Sequence, residues 1–148
     1  MSELNKTDEL LALPAYDGSI ESEKAFIDAL QEELIFHYEH NDMYRQFCER
    51  KSFNPHTEIK SLDDIPPVSV SVFKDLGFKL GSVPKDELSL TLQSSATSGV
   101  PSTVVLDKVT SKRQAKAMVK VISAFIGNER KPFLIMDIDP RSADRRLL

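Results

Sequence analysis

The feature that most constrains the fold of this chain is a change of hydrophobic period after residue 88. The segment LSLTL at 88–92 alternates apolar and polar residues, as a half-buried strand does. A polar loop follows, and the β-branched run at 103–105 predicts a second strand. A helix is expected from Thr110 or Ser111, as N-cap, to Gly127, a residue suited to a helix C terminus. Its apolar face comprises Ala115, Met118, Val119, Ile122 and Ile126.

A third strand is expected after this helix. The apolar run KPFLIMDID at 131–139 is typical of a strand that is buried on both faces. The order strand, loop, strand, helix, strand favours a sheet with at least one crossover helix, and hence the α/β class.

The first third of the chain is predicted to be helical. Residues 20–38 place apolar side chains at helical spacing: Phe26, Ile27, Leu30, Leu34 and Tyr38. A second helix is expected to start at an N-cap of Asn41 or Asp42, to turn Met43, Tyr44 and Phe47 inward, and to end before SFNPHT. Prolines and glycines then predict a connector over 61–84 with a short helix at its middle. These patterns divide the chain into a helical segment, 1–60, and an α/β part, 61–148.

The charge of the chain argues against a nucleic-acid partner. The net charge is -4, and no cluster of Lys or Arg is interleaved with aromatic residues. Residues 1–107 contain 9 Lys and Arg against 19 Asp and Glu, whereas 108–148 contain 10 against 4. The loop after the first strand therefore lies where the chain changes from acidic to basic, which favours a bound anion there.

Cysteine content and the N-terminal residues predict a cytoplasmic protein. Cys48 is the only cysteine, so no internal disulfide can form. The start MSELNKTDELLALPAY has neither the basic start nor the apolar core of a signal peptide. No run approaches the ~20 apolar residues that a membrane-spanning helix needs.

The loop SSATSGVPS at 94–102 is the strongest candidate for a binding site. Backbone N–H groups of a turn, hydroxyl side chains and a glycine that permits close approach together suit a phosphate. Ser94, Ser95, Thr97 and Ser98 supply hydroxyls, and Gly99 supplies a main-chain amide. The chain has no Walker-type GxxxxGK[ST] motif. Composition alone leaves two interpretations open, a phosphate loop and an ordinary polar hairpin turn.

Three segments in order carry a resemblance to a known family: IPPVSVSVFKDL, SSATSGVPSTVVLDKVTSKRQ and FLIMDIDP. The loop resembles the Ser/Thr/Gly-rich phosphate loop of adenylate-forming enzymes, and the ordered set resembles the N-terminal half of the acyl-protein synthetase (LuxE-like) family. The resemblance covers roughly residues 60–140. It implies that 61–148 form part of the sheet-and-helix large domain of an adenylate-forming enzyme, preceded by the helical N-terminal segment as an arm.

The resemblance also implies a reaction, its cofactors and its partners. Such enzymes use ATP and Mg²⁺ to activate a fatty acid as an acyl-adenylate, take the acyl group onto a cysteine and pass it to a reductase. The implied phosphate-binding residues are Ser94, Ser95, Ala96, Thr97, Ser98 and Gly99. Ala96 stands where the family pattern has glycine, so a positive φ there would be strained by the Cβ atom.

The same resemblance implies that this chain is an N-terminal portion. Family members are much longer, and the adenine pocket and acyl-accepting cysteine lie in later parts. We therefore expect that the chain alone does not complete the reaction, and that apolar helix faces and a sheet edge remain uncovered.

Other polar residues have two readings each. Lys112, Lys116 and Lys120 share a helix face that suits solvent, while Lys112 or Arg113 near the helix start could approach a nucleotide. Asp137 and Asp139 could face Mg²⁺ or could simply precede the turn at Pro140.

The remaining candidates are two histidines and the thiol. His37 and His40 lack a companion metal motif, so no metal site is assigned to them. Cys48 lies beside Phe47 on an inward face, where apolar surroundings raise the pKa of a thiol, so no acyl-accepting role is assigned to it.

Two further functional hypotheses accompany the synthetase. One is a non-catalytic nucleotide-binding or interaction module of the same fold, which the alanine at position 96 favours. The other is an enzyme that resembles phenylacetate-CoA ligases and acts on another carboxylic acid.

Overall fold

The structure, a computed structural model, describes residues 5–75, 80–94, 101–134 and 136. Five α-helices and one hairpin are found in these ranges. The helices are α1 (Asn5–Ala12), α2 (Ile20–His40), α3 (Asp42–Arg50), α4 (Val72–Asp75) and α5 (Lys108–Ile126). The strands are β1 (Leu88–Gln93) and β2 (Thr103–Asp107), and short 3₁₀ turns lie at Leu62–Asp64 and Lys85–Glu87.

The two long N-terminal helices form where the sequence predicts them, because their caps are local. Ser19 caps α2 by accepting a hydrogen bond from the amide of Ser22 at 3.1 Å. Asn41 is the N-cap of α3 and accepts from the amide of Tyr44 at 3.0 Å. The predicted inward face of α3 is wrong at Met43, which is exposed, whereas Tyr44 and Phe47 are half-buried.

A small core lies between α2, α3 and the segment that follows them. Ala29, Cys48, Pro55 and Ile59 are buried there. The side-chain amide of Gln31 donates to the carbonyls of Pro55 and Thr57 at 2.9 and 2.8 Å, which holds the 54–60 segment against α2.

The two predicted strands pair as an antiparallel hairpin. Leu90 lies opposite Leu106 and Leu92 opposite Val104, with an irregular step between Leu88 and Leu90. Both strands pack against α5. The fold is therefore mixed, with helices and a two-stranded antiparallel sheet among the described residues.

The predicted third strand is not formed in the part of 131–139 that the structure describes. Residues 131–134 and Met136 are outside any strand, and Phe133, Leu134 and Met136 are largely exposed. A strand needs a neighbour for its backbone groups, and no described strand lies beside this segment. The helix predicted to be the crossover is present as α5, but no described strand follows it, so the crossover itself stays a prediction.

The start of α5 also differs from the prediction. Asp107, the last residue of β2, caps the helix by accepting from the amide of Thr110 at 2.6 Å, so neither Thr110 nor Ser111 is the N-cap. A carboxylate acceptor at the strand end makes a charge-assisted bond and lets the helix begin one turn earlier. The predicted stop at Gly127 is confirmed by its positive φ of 76°.

Helix α1 was not predicted, and it is fixed by residues far along the chain. It packs along α2 and also contacts α5. The ammonium group of Lys120 donates to the carbonyls of Leu11, at 2.9 Å, and Leu13. These carbonyls lie at the helix end and lack intrahelical partners, so Lys120 caps α1. The solvent-facing reading of the lysine stripe is therefore wrong for Lys120, while Lys112 and Lys116 are exposed.

Candidate functional site: a closed hairpin loop beside an apolar groove

The hairpin presents the candidate loop from a closed base. The amide of Ser94 donates to the carbonyl of Ser102 at 3.1 Å, and the amide of Ser102 donates to the hydroxyl oxygen of Ser94 at 2.9 Å. The main-chain amide of Ser94 is thus used to close the hairpin. Its hydroxyl proton is still able to donate, because a serine oxygen that accepts one bond retains its O–H.

The other residues of the predicted phosphate site lie outside the described residues. They are Ser95, Ala96, Thr97, Ser98 and Gly99. Asp137 and Asp139, the residues considered for Mg²⁺, also lie outside them. The phosphate-binding assignment of these side chains therefore stays a prediction.

Arg113, one of the two cations considered for the nucleotide, forms an ion pair with α1. Its guanidinium donates to both carboxylate oxygens of Asp8, through Nε at 3.1 Å and through the second terminal nitrogen at 2.6 Å. The Arg113 side chain is only 15% exposed. The hydrogen bond from Arg113 lowers the pKa of Asp8, and the same hydrogen bond raises the pKa of Arg113. Arg113 thus joins α5 to α1, whereas Lys112, the residue before it, is exposed to solvent.

A groove of about 840 Å³ lies between α1, α2, the hairpin and α5. Such a volume is within the range of about 300–1,000 Å³ of small-molecule sites. Apolar side chains form most of its wall, among them Leu11, Phe36, Phe73, Val104, Leu106 and Val109. The Asp8–Arg113 ion pair lies at the groove, so the pair both ties two helices together and lines a cavity.

His37 provides another polar contact at the groove. Its Nδ1 lies 2.6 Å from the hydroxyl of Ser82, in the segment that leads into β1. Burial lowers the pKa of His37 below its usual 6.5, so the ring is neutral at pH 7. His40 instead directs Nδ1 to the carbonyl of Phe36 at 2.8 Å and stacks on that ring. The two histidines therefore have different partners.

No group of three or more His, Cys, Asp or Glu side chains that could hold a metal is found in the described ranges. Within those ranges, no helix combines the length and hydropathy needed to cross a bilayer.

The thiol of Cys48 lies in the small core and is 0% exposed. Burial raises the pKa of this thiol, which is hydrogen-bonded to the phenol of Tyr44. The predicted burial of Cys48 is confirmed, while the phenol of Tyr44 gives the thiol one polar neighbour. A protonated thiol without access to solvent is a poor nucleophile, so the structure gives no support for an acyl-accepting role at Cys48.

Sequence reasoning did not find the groove or the contacts that build it. The pairs Asp8–Arg113 and His37–Ser82 join residues 105 and 45 positions apart. A local signal did exist for α1, since a run of helix-forming residues with three leucines ends at Pro14.

Comparison with known proteins gives evidence on family membership, which the geometry does not give. A family model described as acyl-protein synthetase, LuxE, matches residues 7–147. A Vibrio harveyi protein named long-chain-fatty-acid--luciferin-component ligase is 40% identical over 78 residues, which are 53% of this chain and 20% of that protein. The Aliivibrio fischeri protein of the same name is 36% identical over 100 residues, 66% of this chain and 25% of that protein. No solved structure gives a significant match.

The matched part of the chain thus spans about a fifth to a quarter of the length of these curated relatives. The family match, in contrast, covers nearly all of the chain, including the helical arm, the hairpin, its loop and α5. On that basis, the chain belongs to the acyl-protein synthetase (LuxE) family.

Proposed function

We propose that this chain contributes the phosphate loop of an ATP-dependent acyl-protein synthetase that activates a fatty acid. The observation that carries the proposal is the family match over residues 7–147, which includes the whole hairpin and its loop. Both curated relatives are named ligases of long-chain fatty acids. The closed base of the loop at Ser94 and Ser102 supports the proposal, because it gives the hydroxyl-rich turn a fixed start and end.

In the proposed reaction a fatty-acid carboxylate attacks the α-phosphorus of ATP, and pyrophosphate leaves. Charge then develops on the departing phosphates, and preorganised donors near them lower the barrier. The hydroxyls of Ser94, Ser95, Thr97 and Ser98 and the amide of Gly99 are the proposed donors, at a loop that also includes Ala96. Mg²⁺ would supply further compensation of phosphate charge.

The proposed second step transfers the acyl group to a protein thiol. A thiolate attacks the acyl carbonyl of the adenylate, a thioester forms and AMP leaves. The buried position of Cys48 directs the search for that thiol elsewhere. We propose a cytoplasmic protein with an acyl-reductase partner that receives the acyl group.

The test is acid-dependent exchange of labelled pyrophosphate into ATP, measured on the natural protein in which this sequence occurs. We expect exchange with a long-chain fatty acid and a loss of about 10²-fold in the double variant Thr97→Val, Ser98→Ala, which removes two donors. Ser89→Ala is the matched control, since this exposed hydroxyl lies on β1 outside the loop. Absence of exchange with fatty, aromatic and other carboxylic acids would contradict the proposal. Exchange with an aromatic acid only would show that the substrate is an aromatic acid and not a fatty acid.

A further inference from the structure

We propose that the groove between α1, α2, the hairpin and α5 holds the hydrocarbon chain of the fatty acid, with the carboxylate directed toward the 94–101 loop. This inference rests on the proposed function and adds to it a place for the acyl chain. It would give the helical arm a direct part in recognition of the substrate.

The wall of the groove has the chemistry of an acyl-chain site. Side chains from four α-helices and the hairpin contribute to it, including Leu11 of α1, Phe36 of α2, Phe73 of α4 and Val109 of α5. Apolar surface of this kind, open to solvent in a groove of about 840 Å³, is stabilised when an apolar ligand covers it.

The charged side chains in the described lining of the groove are already hydrogen-bonded. Asp8 is bound by Arg113, and Asp107 accepts from the amide of Thr110. The carboxylate of Glu33 accepts from the hydroxyl of Thr7 at 2.9 Å. Glu33 and Asp107 thus accept from neutral donors and keep their negative charge, so the hydrocarbon is placed along the apolar part of the wall and leaves these two carboxylates open to water.

The charge of the groove wall indicates where the carboxylate of the ligand lies. Among the described lining residues Arg113 is the one Lys or Arg, and its guanidinium is bound to Asp8. His37 is neutral at pH 7 because burial lowers its pKa. The described wall thus carries three carboxylates, Asp8, Glu33 and Asp107, against one guanidinium, so it repels the carboxylate of the ligand, which is better placed outside the groove, at an open end.

One end of the groove leads to the loop. Its β2 wall extends from Asp107 to Val104. Val104 is two residues from Ser102, which closes the base of the loop, so the separation along the strand is about 7 Å. An acid bound lengthwise with its head beyond Val104 would bring the carboxylate toward Ser94 and Ser102, which close the base of the loop.

The first experiment measures binding of saturated fatty acids of 6, 8, 10 and 12 carbons to the 148-residue chain by calorimetry. Each acid is kept below its critical micelle concentration, and ATP is omitted. We expect affinity to rise about threefold to fourfold per added methylene, as burial of hydrocarbon predicts. Affinity that does not change with chain length would overturn the proposal.

The second experiment locates the ligand with a matched pair of variants on α5. Ala117 lines the groove, whereas Ala115 on the same helix is exposed and lies outside the lining. We expect Ala117→Phe to weaken binding of the 12-carbon acid at least tenfold and Ala115→Phe to leave it unchanged. Equal affinity in both variants and the parent chain would overturn the proposal, provided that their circular dichroism spectra agree.

A third variant tests the exposed apolar face of α5. It introduces a smaller side chain outside the groove, so its result does not depend on whether the fold accepts a larger residue. Val119 is 65% exposed and is not a lining residue. We expect Val119→Ser to keep the affinity and its dependence on chain length. If this variant loses binding, the acid lies on the open face of α5 and the groove assignment is wrong.

These results separate the inference from the proposed function. Binding is measured without ATP, whereas the function is measured by pyrophosphate exchange. If Ala117→Phe keeps pyrophosphate exchange and the same preference for fatty-acid length, the groove assignment is wrong and the proposed function is unaffected. Acid binding in the groove without any exchange would refute the synthetase proposal and leave an acyl-binding site.

Discussion

The helical N-terminal region and the hairpin–α5 region use their apolar residues differently. Around α2 and α3, Cys48 and Ile59 are buried at 0% and 5% exposure. On α5, Val119 and Phe125 are 65% and 76% exposed, although the helix has the apolar face that its sequence predicts. The first region has buried side chains at its centre, although Ile20 and Phe26 of α2 are exposed, whereas no side chain of α5 is buried and much of its apolar surface is open to further contacts.

This difference shows that helical periodicity identifies an apolar face but does not identify the segment that packs against it. Both α2 and α5 are amphipathic, and only α2 finds a long cover within the described residues, from α1, α3 and the 54–60 segment. Helix α5 packs against both strands and is tied to α1 by Arg113 and Lys120, yet much of its apolar face stays exposed. Four substitutions sharpen this contrast, from the largest expected effect to the smallest.

The largest effect is expected in the small core. Ile59→Ala removes buried hydrocarbon and leaves a cavity, so the free energy of unfolding should fall by about 2–4 kcal/mol. The matched change Ile122→Ala, on the exposed face of α5 at 44% exposure, should cost less than about 1 kcal/mol. Urea unfolding followed by circular dichroism measures both. Equal losses would contradict the contrast between the two regions.

The junction of the two regions is tested at Asn41. This buried side chain caps α3, and its amide nitrogen also donates to the carbonyl of Gly81 at 3.1 Å, close to the groove. Asn41→Ala should lower the free energy of unfolding by about 1–3 kcal/mol. Asn41→Asp retains the capping acceptor but loses the donor, so it separates the two contributions. A full rescue by Asp in urea unfolding would show that the link to Gly81 contributes little.

A smaller and more local effect is expected at Lys120. Lys120→Met should free the C-terminal carbonyls of α1 and destabilise that helix by about 0.5–1 kcal/mol. Faster hydrogen exchange of amides in α1, with unchanged exchange in α3, is the expected readout. Lys116→Met, an exposed lysine one turn earlier, is the control. If both variants change α1 equally, the capping role is wrong.

The smallest effect concerns acid stability. Arg113 lowers the pKa of Asp8 in the folded chain, so this carboxylate adds stability above its unfolded pKa of about 3.9 and loses it as the pH falls through the lower, folded pKa. Asp8→Asn should therefore reduce stability at pH 7 slightly and flatten its decline below pH 4. Asp86→Asn, in the turn before β1, controls for removal of one negative charge. An equal decline in the Asp8 variant and the parent chain would contradict this link between α1 and α5.

Local chemistry explains which parts of the fold could be predicted. Asn41 and Gly127 mark helix ends by their own side chain or backbone preference, and alternation marked β1. The predicted caps, Thr110 and Ser111, were wrong because β2 runs directly into α5 and its last residue, Asp107, caps the helix, which only the structure shows.

Long-range contacts explain what could not be predicted. Helix α1 has eight residues, too few for stability by itself, and depends on Arg113 and Lys120 more than 100 positions away. The apolar run after Gly127 has strand chemistry but no described neighbour to pair with. Of the candidate site, the position of the loop on a hairpin followed from periodicity, whereas the groove required five elements to come together.

The most direct test of the proposed phosphate loop is titration of the ¹⁵N-labelled 148-residue chain with ATP and Mg²⁺ while backbone amide signals are recorded. The proposed function predicts saturable shifts concentrated at residues 94–101, with the largest at Gly99, and their loss in the Thr97→Val, Ser98→Ala variant. An unchanged loop at millimolar ATP, or shifts confined to the groove or to α5, would contradict it and favour a non-catalytic interaction module.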